Sequence, residues 1–589
     1  MVGVTESEPV IERDGVAGRD ERHRLPSADA EKRIVEALEQ VSDCVVVAAR
    51  LEGRLRTDVL LMLRAGADPA ADYEPAVRAA LEGDEAQSLR RVFVVGVDRD
   101  FPEGSPGDRE ALARWHFAEL LGARLPGLGP GAEQVPVAAE RVRVAFAGEG
   151  SGVAELSWGQ REIWQAMTRQ GNWLPLGGSK PLDPGTTVAD IADELGYLHS
   201  RFPSMRTRLR FDEQARPHQV LVSEGWTDLE VFDAEAGPEA ADRLAAAIEA
   251  HYSRAPYDMR FEWPVRMAVV RQDGAATRMV VIMHHLALDG GGAETMIRDV
   301  AARATEPPAG LQQLELAEWQ YSEAGRRHND RAMRHFGDLL RAMPVPTFPP
   351  SADPRRPPWW SAEFESPALR SASALLAERT GADQARVLMA VYAIALARVT
   401  GVNPVLLRPV IGNRFRRHLA DIVCHASQAG LVLLDTSDGT VEDVISRAGP
   451  AAMNAIKHSY YNPEQLDDLV RRISRERGAD LDIASFINDR RVAPATPETI
   501  SARTAEEFAA ARAASVFRWA GERNDPVERM FLHIDDVPGA VRLSIEADTR
   551  ALAPDRIERL AWTIEEVAVA AALAAGLDSG VRRGESRVD

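Results

Sequence analysis

From Ala154 to the C-terminal tail, helical and strand periodicities alternate without an internal repeat. They are broken once, near the middle, by a proline-rich stretch, Pro344 to Pro358 (PVPTFPPSADPRRPP). Strands that alternate with helices bury their apolar faces by collecting into sheets covered by those helices. A proline-stiffened break then splits the block into two lobes. The expected fold class is therefore α/β, with a first lobe over 153–343, a connector over 344–358 and a second lobe over 359–578.

The upstream segment reads as a separate small α/β unit, 28–123. Its expected helices are Ala30 to Gln40, Tyr73 to Leu81 and Arg109 to Leu121. Its expected strands are Cys44 to Ala49, Asp58 to Arg64 and Val92 to Val97. Residues 1–27 are polar and expected to be a disordered tail. Residues 124–152, rich in Gly, Pro and Ala, read as a linker carrying one strand at Val142 to Phe146. Residues 579–589 read as a second tail.

Charge and composition remove several function classes. The chain has 70 basic and 90 acidic residues, a net charge of −20. It lacks the basic footprint of a general nucleic-acid binder. The best candidate for a membrane span, Val567 to Leu577, is mostly alanine, falls far short of the ~20 residues required, and reads as helix. No secretory signal is visible at the polar N-terminus. The two cysteines, Cys44 and Cys424, make neither a disulfide framework nor a metal set. The expected setting is the reducing cytoplasm. Lysine occurs only at positions 32, 180 and 457.

One segment carries chemistry. Residues 278–300 read RMVVIMHHLALDGGGAETMIRDV. Met279 to Met283 is an apolar strand, followed by His284, His285, Asp289, three glycines, and a helix expected to carry Met296, Ile297 and Val300 on one face. Adjacent side chains of a strand point to opposite faces, so the two histidines cannot share one role if the strand runs through both. Gly290, Gly291 and Gly292 would allow a tight turn with unusual backbone angles. A histidine beside a cleft suits general-base work, because imidazole titrates near neutrality. Asp289 could orient an imidazole or anchor the loop through an arginine. Read alone, the pair is more simply taken as strand-end histidines that satisfy their hydrogen bonds; the Asp-Gly at fixed distance and the strand–turn–helix context weigh against that reading.

HHLALDG resembles the HHxxxDG signature of the condensation-domain superfamily of non-ribosomal peptide synthetases, and other segments follow in that family's order. LSWGQREIW (Leu156 to Trp164, with Gln160) resembles its first core motif, SMRTRLRF (Ser204 to Phe211, with Arg206) its second, and VIGNRF (Val410 to Phe415, with Asn413 and Arg414) its fifth. ASFINDRR (Ala484 to Arg491) and RLSIEADTR (Arg542 to Arg550) resemble late strands of its second lobe. The resemblance implies two chloramphenicol-acetyltransferase-like lobes in a V-shaped pseudo-dimer, with a site between them. It implies that His285 is catalytic, that His284 and Asp289 shape the motif, and that Gly290 permits the turn. Arg414 is the expected partner of Asp289, with Asn413, Gln160 and Arg206 in support. The implied reaction joins an acyl or peptidyl thioester, delivered on the phosphopantetheine arm of a carrier protein in trans, to an amine or hydroxyl acceptor. The protein itself would bind no cofactor and no metal. Two alternatives are an acyltransferase acting on a soluble acceptor and a non-catalytic protein that only docks carriers. Departures from the pattern cluster on the acceptor side. Gly291 and Gly292 follow Asp-Gly, CHASQAG (Cys424 to Gly430) replaces a Phe-Val-Asn-Thr run, and the fourth motif's tyrosine is not recognisable around Leu314 to Tyr321.

Three further features invite a reading. LPLGGS (Leu174 to Ser179) resembles a carrier-protein phosphopantetheine box one residue short, but its place in the chain favours a strand and turn. The 28–123 unit is similar to the small C-terminal subdomain of adenylation enzymes. Its loop reads EGSPGDREAL and residues 98–118 hold no lysine, so a docking or structural role is expected rather than amino-acid activation. The arginine clusters at 414–417 and 471–477 read either as solvated surface or as contacts for an acidic carrier.

Overall fold

The computed structural model describes residues 24–25, 28–51, 54–68, 71–95, 109–125, 136–212, 214–308, 310–349, 351, 353, 355–491, 504–523 and 528–582. The lysine-free loop ahead of Arg109, nearly all of the 1–27 tail and the end of the 579–589 tail lie outside these residues.

The N-terminal unit is a four-stranded sheet ordered Arg24–Leu25, Val41–Leu51, Arg54–Leu63, Leu89–Val94. The two central strands pair antiparallel and the last pairs parallel. One face is not left to solvent. Val45, Val47, Leu60, Phe93 and Phe117 share a core with Trp164, Met167 and Trp173 of the first lobe. Arg90 and Arg91 donate to the Thr168 and Arg169 carbonyls, at 2.8 and 2.5 Å, at the end of helix Trp158–Gln170.

The first lobe is built on a five-stranded sheet, ordered Glu140–Ala147, Glu224–Asp233, Val265–Gln272, Ala275–His284, Pro175–Pro181. Ala275–His284 reads as a nearly continuous apolar run because both of its faces are covered: Val280 and Ile282 enter one core, Met279 and Met283 another. Glu140–Ala147 corrects the expected boundary. It comes from the stretch read as linker, yet Val144 and Phe146 alternate inward and are buried, so the sheet begins before residue 153. Pro175–Pro181 contains the LGGS residues as an edge strand against Ala275–His284. A Cβ on Gly177 would lie 2.0 Å from the Val281 carbonyl oxygen, so glycine there serves close strand approach.

The second lobe holds an eight-stranded mixed sheet, with Val405–Ile411 and Ser485–Asp489 near one edge and Val516–Arg523 at the other. Helix Gln384–Thr400 is buried on nearly every side, as its apolar sequence requires. The Val567 to Leu577 run ends helix Pro554–Leu573 and packs in this core. Among the described residues no helix is long and apolar enough to cross a membrane. The last helix before the connector packs on the second lobe. Helix Glu323–Ala342 turns Ala332, Phe336 and Leu340, spaced four apart, onto Leu466, Leu469 and Ile473 of helix Pro463–Arg477. Phe348 of the connector enters the second-lobe core, so that stretch is packed chain rather than a free tether.

Candidate active site

Strand Ala275–His284 stops at the first histidine, so the two rings are separated by the end of the strand rather than by its alternation. His284 is buried; its Nδ1 accepts from the Ala287 N–H at 3.2 Å and its ring meets Tyr257 edge-on at 5.0 Å. Burial pushes it down to about 3, so it is neutral at ordinary pH. His285 sits in the turn, half-buried, with Nδ1 2.7 Å from the Leu288 carbonyl oxygen. A carbonyl can only accept, so Nδ1 carries the hydrogen and Nε2 presents a lone pair. Burial lowers the His285 pKa below the ordinary value, against the opposing pull of the Leu288 carbonyl and Asp289.

Asp289 caps helix Gly290–Ala301, its Oδ1 accepting from the Gly292 N–H at 2.9 Å. It does far more than cap. Arg414 of the second lobe grips both oxygens, Nη2 to Oδ1 at 2.6 Å and Nη1 to Oδ2 at 2.9 Å. Oδ2 also accepts from the Ala426 and Ser427 N–H groups at 2.9 and 2.8 Å and from Ser427 Oγ at 2.7 Å. Burial would raise this carboxyl, but Arg414 and the converging donors hold it well below the usual carboxylate range. At ordinary pH it is an anion that ties the lobes together. Arg414 is held in turn by the Gly412, Ile422 and Cys424 carbonyls at 3.0–3.1 Å. Asn413, with φ 57°, turns the chain there and donates to the Ala426 and Ser459 carbonyls.

The glycines correct an expectation. None of Gly290, Gly291 and Gly292 takes a left-handed angle; all three are the first turn of the helix. A Cβ on Gly290 would meet open space, whereas one on Gly291 or Gly292 would press on Arg414 at 3.0–3.1 Å. Gly290 is therefore not what permits the turn; its two successors make room for the guanidinium. Ile297 is likewise not on the buried face: it is 63% exposed, while Met296 packs inward. Gly159 is tighter still, because its Cβ would lie 2.8 Å from the His425 main-chain oxygen. In denaturant unfolding, Gly290→Ala is expected to raise stability by up to about 1 kcal/mol. Gly159→Ala is expected to lower it by about 1–3 kcal/mol.

Two expected supporting residues hold backbone rather than either histidine ring. Gln160 completes a capping box, its Oε1 accepting from the Ser157 N–H at 2.9 Å. Arg206 is buried and donates to the Gly150, Val222 and Glu149 carbonyls. Sequence reasoning did not single out two others. Glu162, on the same helix as Gln160, takes donors from the second lobe: Arg408 at 3.1 Å, Gln428 at 3.1 Å, the Ala429 N–H at 3.2 Å and Tyr461 at 3.1 Å. Burial pushes this carboxyl up, against the pull of Arg408. His425 brings a third imidazole to the site, with Nδ1 3.0 Å from the His285 main-chain oxygen and its ring edge-on to His285 at 4.8 Å. Its signal was the CHASQAG departure. The arginine clusters divide: Arg416 lies over Trp319 and Tyr460, Arg417 is exposed, and Arg471 and Arg472 pair with Asp468 and Glu476 on their own helix.

A lone-pair-bearing imidazole, fixed in tautomer and seated at a seam between lobes, can take a proton from a nucleophile held beside it. The family profile described as "Condensation domain" matches residues 185–484, just over half of the chain. Surfactin synthase subunit 2 of Bacillus subtilis (strain 168) is 24% identical over 304 residues, 49% of this chain and 8% of that protein. Phosphinothricin tripeptide synthetase PhsC of Streptomyces viridochromogenes is 27% identical over 257 residues, 41% of this chain and 23% of that one. The chain thus spans under a quarter of the length of these relatives. Among solved structures, the condensation domain of the Monacolin K polyketide synthase MokA superimposes with a TM-score of 0.57 at 13% identity, over 73% of this chain and 100% of that one. A structure described as showing condensation domain-mediated chain release from the enacyloxin polyketide synthase gives 0.55 at 18% identity, over 87% and 98%. These likenesses show the expected two-lobed α/β fold.

Proposed function

Because the chain belongs to the condensation-domain family, we propose that it is a condensation enzyme joining a carrier-bound acyl or peptidyl thioester to an amine or hydroxyl acceptor in natural-product biosynthesis. The observation that carries this reading is His285, whose Nε2 lone pair is fixed by the Leu288 carbonyl while Asp289 and Arg414 lock its turn to the second lobe. As the acceptor nitrogen or oxygen attacks the thioester carbonyl, His285 Nε2 takes its proton. The C–S bond breaks, an amide or ester forms, and the carrier's thiolate leaves to be protonated. The donor would arrive on the phosphopantetheine arm of an acyl or peptidyl carrier protein in trans. Two buried cysteines, too few and too far apart in sequence for a disulfide framework, support a reducing cytoplasmic setting. The test is incubation of the full chain with acyl-loaded carrier protein and candidate amines or alcohols, read by intact mass. Acceptor-dependent loss of the acyl group from the carrier, with matching product, is expected.

A soluble acceptor is the second reading. It is favoured by the altered acceptor-side segment Cys424 to Gly430, and by a neighbour described as releasing a chain from a polyketide synthase.

The 28–123 unit, on this reading, is a degenerate adenylation-type subdomain kept as structure. Its support is the core shared with Trp164 and Trp173, and a buried cluster at that junction in which Asp58 pairs with Arg90 at 2.6 Å and His116 at 2.9 Å. The chain should show no ATP–pyrophosphate exchange with any amino acid; measurable exchange would overturn the structural role.

A further inference from the structure

We propose that His425 is a positioning residue for the reaction: from the second lobe it fixes the main chain of His285 and so sets the direction and solvation of the catalytic imidazole. This rests on the assignment of His285 as the base. Its Nδ1 lies 3.0 Å from the His285 carbonyl oxygen. A carbonyl accepts only, so His425 Nδ1–H donates. The ring, 5% exposed, covers one side of His285, edge-on at 4.8 Å and 77°.

The segment that carries His425 is fastened at every residue. Arg414 holds the Cys424 carbonyl, Asp289 holds the Ala426 and Ser427 N–H groups, Asn413 holds the Ala426 carbonyl, and Gly159 abuts the His425 carbonyl where no side chain fits. Such over-determination is what holding a reacting group to within a fraction of an ångström requires. The groups facing the two rings are His284, Asp289 and Arg414, with Cys424 on the same segment. Burial and the neighbouring His285 lower His425 to about 3, so it donates from a neutral ring through the working pH range. The first lobe therefore supplies the base and the second lobe aims it.

Three variants separate aim from packing. His425→Phe keeps a ring but removes the donor; His425→Asn keeps a donor close to the Nδ1 position; His425→Ala removes both. Each is read twice in the full chain: by transfer kinetics from acyl-loaded carrier, and by NMR titration of 13C-labelled histidine rings, which needs no substrate. The Phe and Ala variants should lose about 10²-fold in kcat with KM changed less than about threefold, as expected for a misplacement of about 1 Å. With the main chain of His285 released from its Nδ1–H donor, the His285 ring should turn towards water and its titration move up towards the ordinary value of about 6.5. The acid limb of kcat/KM should move up with it, and His425→Asn should restore both. An unmoved His285 titration in His425→Phe, or equal losses in Asn and Phe tracking only a fall in Tm, would overturn the proposal. If the wild type transfers nothing, the condensation reading fails, while the NMR titration still decides whether His425 controls His285.

Discussion

Replacing His285 with alanine is expected to remove product formation while the protein stays folded. General-base catalysis contributes about 10²–10⁴-fold, so transfer should fall by about that factor, towards the background reaction of thioester with acceptor. The fold should survive because the side-chain hydrogen bond of His285 closes its own turn, to Leu288, and the seam between the lobes is held by other groups. Circular dichroism and Tm close to wild type, together with lost turnover, are the expected pair. The pH dependence has a definite sign. Burial lowers the His285 pKa, so the ring stays neutral, and able to accept a proton, to below the ordinary histidine pKa of about 6.5. The wild-type acid limb should therefore lie below that value.

Replacing Asp289 with asparagine should have the largest effect on stability. The carboxylate is 2% exposed and receives five donor groups: the Arg414 guanidinium, the Gly292, Ala426 and Ser427 N–H groups and the Ser427 hydroxyl. Removing one partner of a buried ion pair leaves the other charge uncompensated, a loss of about 3–5 kcal/mol. Activity should fall with it, because the same carboxylate fixes the segment bearing His425. Acid unfolding gives an independent check. The folded pKa lies below the unfolded value of about 3.9, so the carboxylate's contribution is complete above that pH and is lost as pH falls below it. The difference in unfolding free energy between wild type and Asp289→Asn should hold constant near neutrality and shrink below about pH 4. A difference independent of pH down to about pH 3 would contradict the ion-pair role.

Much of this site was legible in the sequence because its parts are local. The strand Ala275–His284, the turn and the helix Gly290–Ala301 follow from one continuous stretch with clear periodicity. The Asp289–Arg414 pairing, 125 residues apart, was reached through family resemblance, since no periodicity in the chain could bring the two together. His425 and Glu162 were not singled out for the same reason: their roles exist only across the seam between lobes. The motif glycines were misread because a glycine in sequence does not reveal whether its freedom serves its own φ or its neighbour's volume. Arg414 needs the space beside Gly291 and Gly292, and only packing shows that. The packing of the two linking stretches was hidden for a related cause. Glycine- and proline-rich composition marked 124–152 and 344–358 as spacers, but Val144 and Phe348 enter hydrophobic cores and Phe146 is buried against His199 and Trp263.

The most direct measurement is single-turnover transfer from an acyl-loaded carrier protein, followed by intact mass between about pH 5 and 9, with wild type and His285→Ala side by side. Acceptor-dependent transfer by the wild type, with an acid limb below about 6.5, and none above background by His285→Ala is the expected result. Undiminished transfer by His285→Ala would contradict the role of that histidine as the base.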